Sequence, residues 1–380
     1  MKKLITARRI LVVCFMAIVF MSCNLSPKER ASDAETYRGF EEFDINRGIN
    51  ISHWLSQSQR RGEERDAYFT ERDMKLIAEL EFDHIRLPID EVQMWDDYGN
   101  KEEYAFELLH KAINWAMEEN LRIIVDLHIL RSHHFNLPEN PLWTEREEQI
   151  KFVDLWRQLS EELKDYPLDM VAYELMNEPV AHDPELWNNL VAETIGAIRE
   201  IEPERKLVVG SNMWQSVHAF KDLRIPENDR HIILSFHFYE PFLLTHHQAS
   251  WTNIGQYKGS VNYPGQVVSA REMEGLPEDV IRELNNHNQV FTKDSLAAMI
   301  QLPLEFARRY DLPLYCGEWG CLPTVPEESR YQWYEDVISL LEENQIAWTK
   351  WDYKGSFGIL DRNTLEKNTE LLSILFSEQK

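Results

Sequence analysis

The chain has 380 residues, 43% of them hydrophobic and 28% charged, with only 14 Gly and 16 Pro, which is the usage of a folded globular protein and excludes a collagen-like or wholly disordered one. Forty Lys and Arg stand against 65 Asp and Glu, and a formal charge of −25 repels nucleic acid and anionic headgroups, so neither is expected as a partner of the folded surface. Aromatic residues reach 11%, including 12 Trp, which suits either a large core or the stacking of sugar rings.

The first element is an export segment. Lys2, Lys3, Arg8 and Arg9 precede an apolar run of 12 residues from Ile10 to Met21, too short to span a bilayer and shaped like the h-region of a secretory signal. The run closes on Phe20-Met21-Ser22-Cys23, which resembles a bacterial lipobox, so Cys23 is the expected lipidation site and new N-terminus. Residues 1–22 are therefore assigned to a lipoprotein signal, 23–43 to a polar tether and 44–380 to one folded domain, exported and held in a bacterial envelope through the lipid alone. Removing the signal strips four cations and leaves a charge of −29. Only Cys316 and Cys321 then remain in the folded part, too few for a disulfide scaffold, and free buried thiols are expected there.

Eight short apolar runs follow, at Gly48 to His53, His84 to Asp90, Arg122 to His128, Val171 to Pro179, Lys206 to Asn212, Ile232 to Pro241, Pro313 to Gly320 and Ala347 to Gly355. Several are nearly continuous in apolar residues, as strands covered on both faces are. Between them lie stretches of helical period, such as Phe106, Leu109, Ala112, Ile113 and Ala116, or Phe152, Leu155, Trp156, Leu159 and Leu163. Eight strand–helix repeats predict one closed (β/α)8 TIM barrel, a single α/β domain, and a monomer is expected. A doubly wound sheet is the alternative, but no Gly-rich phosphate loop follows any strand. The stretch from Pro241 to Thr292 has no strong period and follows the sixth strand, where a barrel carries its active-site loops. It is expected to touch substrate through residues such as Trp251, with Phe242, His246 and His247 nearby.

Polar residues recur at strand ends: Arg86 in HIRLP, His128 in IVDLH, Asn177 and Glu178 in ELMNEP, Asn212 in VGSN, His237 and Tyr239 in SFHFYEP, Glu318 in YCGEWG and Trp351 in TKWDY. On a barrel these all point into one bowl. A charged residue in strand sequence is expensive to bury unless paired or used, and so regular a recurrence favours use. Glu178 and Glu318 end the fourth and seventh strands and face each other, the pair that glycosidic cleavage needs: one carboxyl to protonate the leaving oxygen, one to attack or to activate water. Glu174, four residues before Glu178, shares its face but lies deeper, in a structural position.

The series HIRLP, DLH, NEP, HFY and GEWG, with a Trp on the last strand, resembles glycoside hydrolase family 5, the cellulase-type (β/α)8 enzymes, from about Gly48 to Trp351. The resemblance implies that Glu178 is the acid/base and Glu318 the nucleophile of a retaining double displacement, with no metal or organic cofactor. It implies that Arg86 keeps Glu318 ionised, that Tyr239 donates to the same carboxylate, and that His237 contacts Glu178. Asn177 and His128 would bind sugar hydroxyls and Trp351 would floor the reacting ring.

His128, His133 and His134 raise zinc as a rival, but no HExxH or Cys cluster accompanies them, and His133 is assigned to a sugar subsite instead. His53 and Trp54 are expected near the rim. The expected substrate is a neutral β-linked polysaccharide, with endo-β-1,4-glucanase action favoured. An exo-acting or mannan-type pocket enzyme and a non-catalytic sugar-binding lipoprotein are the alternatives.

Overall fold

A computed structural model of the protein describes residues 43–361 and 363–377. The export segment, Cys23 and residues 23–42 of the tether lie outside the described residues. Eight parallel strands close a barrel: β1 (Arg47–Asn50), β2 (His84–Asp90), β3 (Arg122–Ile129), β4 (Val171–Glu174), β5 (Leu207–Gly210), β6 (Ile232–Phe238), β7 (Leu314–Trp319) and β8 (Ala347–Lys350). Each pairs with its neighbours in chain order and β8 pairs with β1, so no edge is left open.

Side-chain parity explains why so apolar a set of strands carries a polar site. On β3, Ile123, Val125 and Leu127 pack outward into the main core under the helices, while Ile124, Asp126 and His128 point inward. On β2 the outward set is Ile85, Leu87 and Ile89, leaving His84, Arg86 and Asp90 inside. One inner layer is apolar, made by Ile124, Ala172, Val208, Ile233, Tyr315 and Ala347 from six strands, with Phe43 and Ile45 against it. Above that layer, towards the C-terminal strand ends, the inward positions turn polar.

Long helices cover most crossovers, among them Glu103–Glu118, Arg146–Leu163, Pro184–Arg199 and Glu327–Glu343. Between β5 and β6 the crossover carries instead a 3-10 helix, Val217–Asp222. The segment after β6, expected to be irregular, is ordered by elements of its own: a helix Glu278–His287 and a short ribbon pairing Gly265–Gln266 with Val290–Phe291. Tyr257 and Tyr263 are buried there, and His247 sits between the carbonyls of Thr324 and Gly259 at 3.0 and 2.9 Å, so these aromatics stitch the loop together rather than face ligand. Trp54, expected near the rim, is also core: its indole donates to the Arg65 carbonyl at 2.9 Å and its ring meets Phe69 at 5.1 Å. Cys316 and Cys321 are free, buried thiols.

Candidate active site

The inward residues of β2, β3, β4 and β7 converge on one guanidinium. Arg86, fully buried, donates from Nε to Glu174 Oε2 at 2.6 Å and from Nη1 to Glu318 Oε1 at 2.7 Å and Asn50 Oδ1 at 3.0 Å. Its Nη2 reaches Glu174 Oε1 at 3.1 Å, Asn177 Oδ1 at 2.9 Å and Asp126 Oδ2 at 3.0 Å. Five donors and a planar fork are what three carboxylates around one cation require, and Lys could not span them.

Glu318 takes its second oxygen to the Tyr239 hydroxyl at 3.0 Å. Glu178 follows β4 in a left-handed backbone conformation, φ 46°, and its Oε1 meets His237 Nδ1 at 3.0 Å. The same Nδ1 is 3.7 Å from Glu318 Oε2, and carboxylate oxygens of the two Glu lie within 4.8 Å of each other. A register shift between Phe236 and His237 on β6 sets His237 opposite Glu318.

Burial pushes both carboxyls up, and at Glu178 the neighbouring charge of Glu318 adds to it. At Glu318 the Arg86 cation and the Tyr239 hydroxyl oppose burial and lessen the rise, the direction in which Arg86 is expected to act on this group. The close pair therefore titrates as one unit that retains a proton more readily than either carboxyl would alone. Burial also drives His237 well below the usual imidazole range and raises Tyr239, so the imidazole is neutral and the phenol keeps its proton.

His128 donates from Nδ1 to Asp126 at 2.6 Å, and burial lowers it to about 3, leaving Nε2 an acceptor. Its ring lies parallel to Trp351, 5.8 Å between centroids. Trp351 clusters with Phe357, Ala249, Leu322 and Tyr239, and Trp251, half exposed, stands at the edge of this cluster, 6.5 Å from Phe357. Arg86, His128, Asn177, Glu178, His237, Tyr239, Glu318 and Trp351 thus form one constellation, with Trp251 on its rim.

His133 does not join them. Its Nε2 accepts from the Val180 amide at 3.3 Å and its Nδ1 is buried without a partner, so neither nitrogen is presented to a sugar; it braces the loop behind Glu178. Asn212 clamps the same loop, exchanging two hydrogen bonds with the Ala181 backbone at 2.9 and 2.8 Å.

Several contributors were given no role by the motifs. Asp126 could have been found by parity, two residues before His128. Gln215 donates to Glu174 at 2.9 Å from a run of three left-handed residues, Met213, Trp214 and Gln215, that also presents Trp214 half exposed, with its indole bonded to the Phe135 carbonyl at 2.9 Å. No sequence pattern announces a left-handed run of non-glycine residues.

The family model for Cellulase (glycosyl hydrolase family 5) matches residues 46–356. Endoglucanase C of Acetivibrio thermocellus is 35% identical over 336 residues, covering 86% of this chain and 97% of that protein. Cellodextrinase A of Ruminococcus flavefaciens is 28% identical over 80% of this chain and 84% of its own length. Among solved structures, endoglucanase Cel5A of Thermotoga maritima superposes with a TM-score of 0.72 at 25% identity, over 89% of this chain and 99% of that one.

Proposed function

Because the chain belongs to the cellulase family, glycosyl hydrolase family 5, and is an O-glycoside hydrolase, we propose that it cleaves neutral β-1,4-glucan internally with retention of anomeric configuration. The observation that carries retention is the approach of the Glu178 and Glu318 carboxylates to within 4.8 Å, closer than the roughly 6.5–9.5 Å that inverting enzymes need to admit a water between them. Glu318, aligned by Arg86 and Tyr239, attacks the anomeric carbon as Glu178 passes its proton to the leaving oxygen. A glycosyl ester on Glu318 results. Glu178, now a carboxylate, takes a proton from water, whose oxygen attacks the same carbon and releases Glu318.

The remaining groups fit the reacting sugar. Asn177 spends Oδ1 on Arg86, which leaves its amide N–H groups for a hydroxyl. His128 Nε2 accepts from a second hydroxyl, and Trp351, braced on one face by His128, floors the ring. Endo action is supported by the endoglucanase among the relatives, and the binding of neutral β-glycan by a neighbour solved with cellobiose.

The test is hydrolysis of soluble β-glucan by wild type, Glu178→Ala and Glu318→Ala. Both variants are expected to lose at least about 10³-fold in kcat, with the wild type releasing a ladder of oligosaccharides and the β-anomer first by NMR. Full activity in either variant overturns the assignment, and a single small product overturns endo action. We further propose export and lipid anchoring at Cys23, on the Phe20-Met21-Ser22-Cys23 run. Detergent-phase partitioning that persists in Cys23→Ser would refute the anchor.

A further inference from the structure

We infer that a cavity of about 430 Å³ beside the catalytic bowl is a second carbohydrate site, and that it takes a sugar bearing a carboxylate group. Only in naming a branch of the hydrolysed glycan as the source of that sugar does this rest on the function proposed above. The cavity lies between the loop after β1 and the loop after β2, on the end of the barrel where the active site opens. Its volume falls within the range of small-ligand sites, about 300–1,000 Å³.

Arg65 is the reason to expect an anion. Its side chain lines the cavity yet is only 2% exposed, and among the described residues no carboxylate oxygen lies within ion-pairing distance of it. Nε donates to the Arg60 carbonyl at 3.2 Å and Nη2 to Gln93 Oε1 at 2.5 Å, both neutral acceptors, and Nη1 donates to no described group. Buried arginines are almost never left without a counter-charge. The nearby acids make their own contacts, and Glu102 and Asp66 act on Arg65 through space without reaching ion-pairing distance. Asp96 caps its own turn, accepting from Tyr98 N at 2.8 Å and Asn100 N at 2.9 Å; Asp97 pairs with Arg131 at 3.3 Å; Asp66 takes the Tyr104 hydroxyl. Burial, and then the Arg61 guanidinium on the rim, weaken the hold of Arg65 on its proton, and Glu102 and Asp66 only partly offset them, a cost that an incoming anion would relieve.

The rest of the lining favours a sugar acid over a simple anion. Glu102 and Asp97 offer acceptors for hydroxyls, and Tyr104 and Val92 offer apolar surface, Val92 being 46% exposed. A phosphate would leave the apolar surface uncovered and, carrying more charge than one carboxylate, would be repelled more strongly by the acids. Guanidinium groups bind carboxylates in a planar, bidentate fashion, which suits a uronic acid. The overall negative charge of the chain does not forbid this, since charges beyond about 8 Å are screened at physiological ionic strength. One loop separates the two sites: Gln57 N donates to Asp90 of the bowl at 2.6 Å, and Gln93 of the cavity donates to the Ser58 carbonyl at 2.5 Å. A β-glycan whose uncharged main chain lies in the cleft can therefore extend an acidic branch over this loop.

The test is calorimetric titration of the intact chain with methyl β-D-glucuronoside, methyl β-D-glucoside and inorganic phosphate at two salt concentrations. The glucuronoside is expected to bind at least about tenfold more tightly than either of the others, and more weakly at high salt. Arg65→Met is expected to weaken it about tenfold or more. Arg61→Gln, on the exposed rim and without risk to the core, is expected to weaken it about threefold. No binding of the glucuronoside, equal binding of the glucoside, equal or tighter binding of phosphate, or unchanged affinity in Arg61→Gln would each overturn the proposal. Calorimetry needs no turnover, so a protein that binds the glucuronoside and leaves β-glucan intact refutes the proposed β-glucan cleavage and not this site.

Discussion

Replacing Arg86 by Met tests the electrostatic centre of the site. Met matches the length of the arginine stem but donates nothing, so Glu174, Asp126 and Glu318 lose their common cation while remaining buried. Breaking a buried ion pair by removing one partner costs about 3–5 kcal/mol. The diagnostic feature is how that loss varies with pH. In the wild type, burial pushes Asp126 up to about 7 against the opposing charge of Arg86. Without Arg86 the same carboxyl titrates higher still, so above pH 7 the folded variant retains a proton that the folded wild type has released. Stability changes with pH in proportion to protons bound by the unfolded state minus those bound by the native state, so an extra native proton makes stability fall more steeply as pH rises. The gap between variant and wild type should widen by about 1.4 kcal/mol per pH unit for each such proton, roughly 2 kcal/mol between pH 7 and 8.5. Urea unfolding of both proteins at pH 6, 7 and 8.5, followed by Trp fluorescence, measures it. Arg86→Lys, which keeps the charge, should lose stability with little pH dependence. A destabilisation by Met that is the same at all three pH values would refute the claim that Arg86 acts as counter-charge rather than as filler.

Tyr239→Phe removes a hydroxyl that donates to Glu318 at 3.0 Å and favours its ionised form, so the nucleophile should titrate higher. The acidic limb of kcat/KM against pH should move up by about one unit, measured on a chromogenic cellobioside. Lys350 is buried, lowered to about 7 by that burial, and donates to the carbonyls of Trp351 at 2.9 Å and Phe357 at 2.5 Å. Lys350→Met leaves two carbonyls bare and should lower unfolding free energy by about 2–5 kcal/mol and raise KM as the Trp351 floor loosens. A Cβ on Gly210 would fall 2.1 Å from Gln215 Nε2. Gly210→Ala should therefore push Gln215 off Glu174, costing about 1–3 kcal/mol by thermal unfolding, whereas Gly210→Ala combined with Gln215→Ala should recover most of it.

What was legible in the sequence were the positions that repeat with the barrel. Arg86, His128, Glu178, His237 and Glu318 lie on or just beyond strand ends whose apolar alternation already marks them as inward. The β6 to β7 spacing concealed a helix and a ribbon because Glu278–His287 buries only Leu284 and so leaves a weak apolar stripe. Residues whose role depends on a distant backbone group were misplaced. His133 looks like a subsite residue and Trp54 like a rim residue in sequence, but the Val180 amide and the Arg65 carbonyl draw them inside. Gln215 and Trp214 were missed because a left-handed turn without glycine leaves no compositional trace.

The two carboxylates are held in unlike ways, and the difference suits their tasks. Glu318 sits within a strand and is fixed at both oxygens, by Arg86 and Tyr239, so its attacking position survives a change in its charge. Glu178 lies beyond its strand in a left-handed conformation and has one polar partner among the described residues, His237. What holds it is the backbone of its loop, clamped by Asn212 and His133. An acid that must give up a proton in one step and take one in the next gains from few bonds to either form, since each bond would favour one protonation state over the other. Holding Glu178 by its backbone and Glu318 by its side chain therefore keeps the pair close while leaving only the acid free to change state.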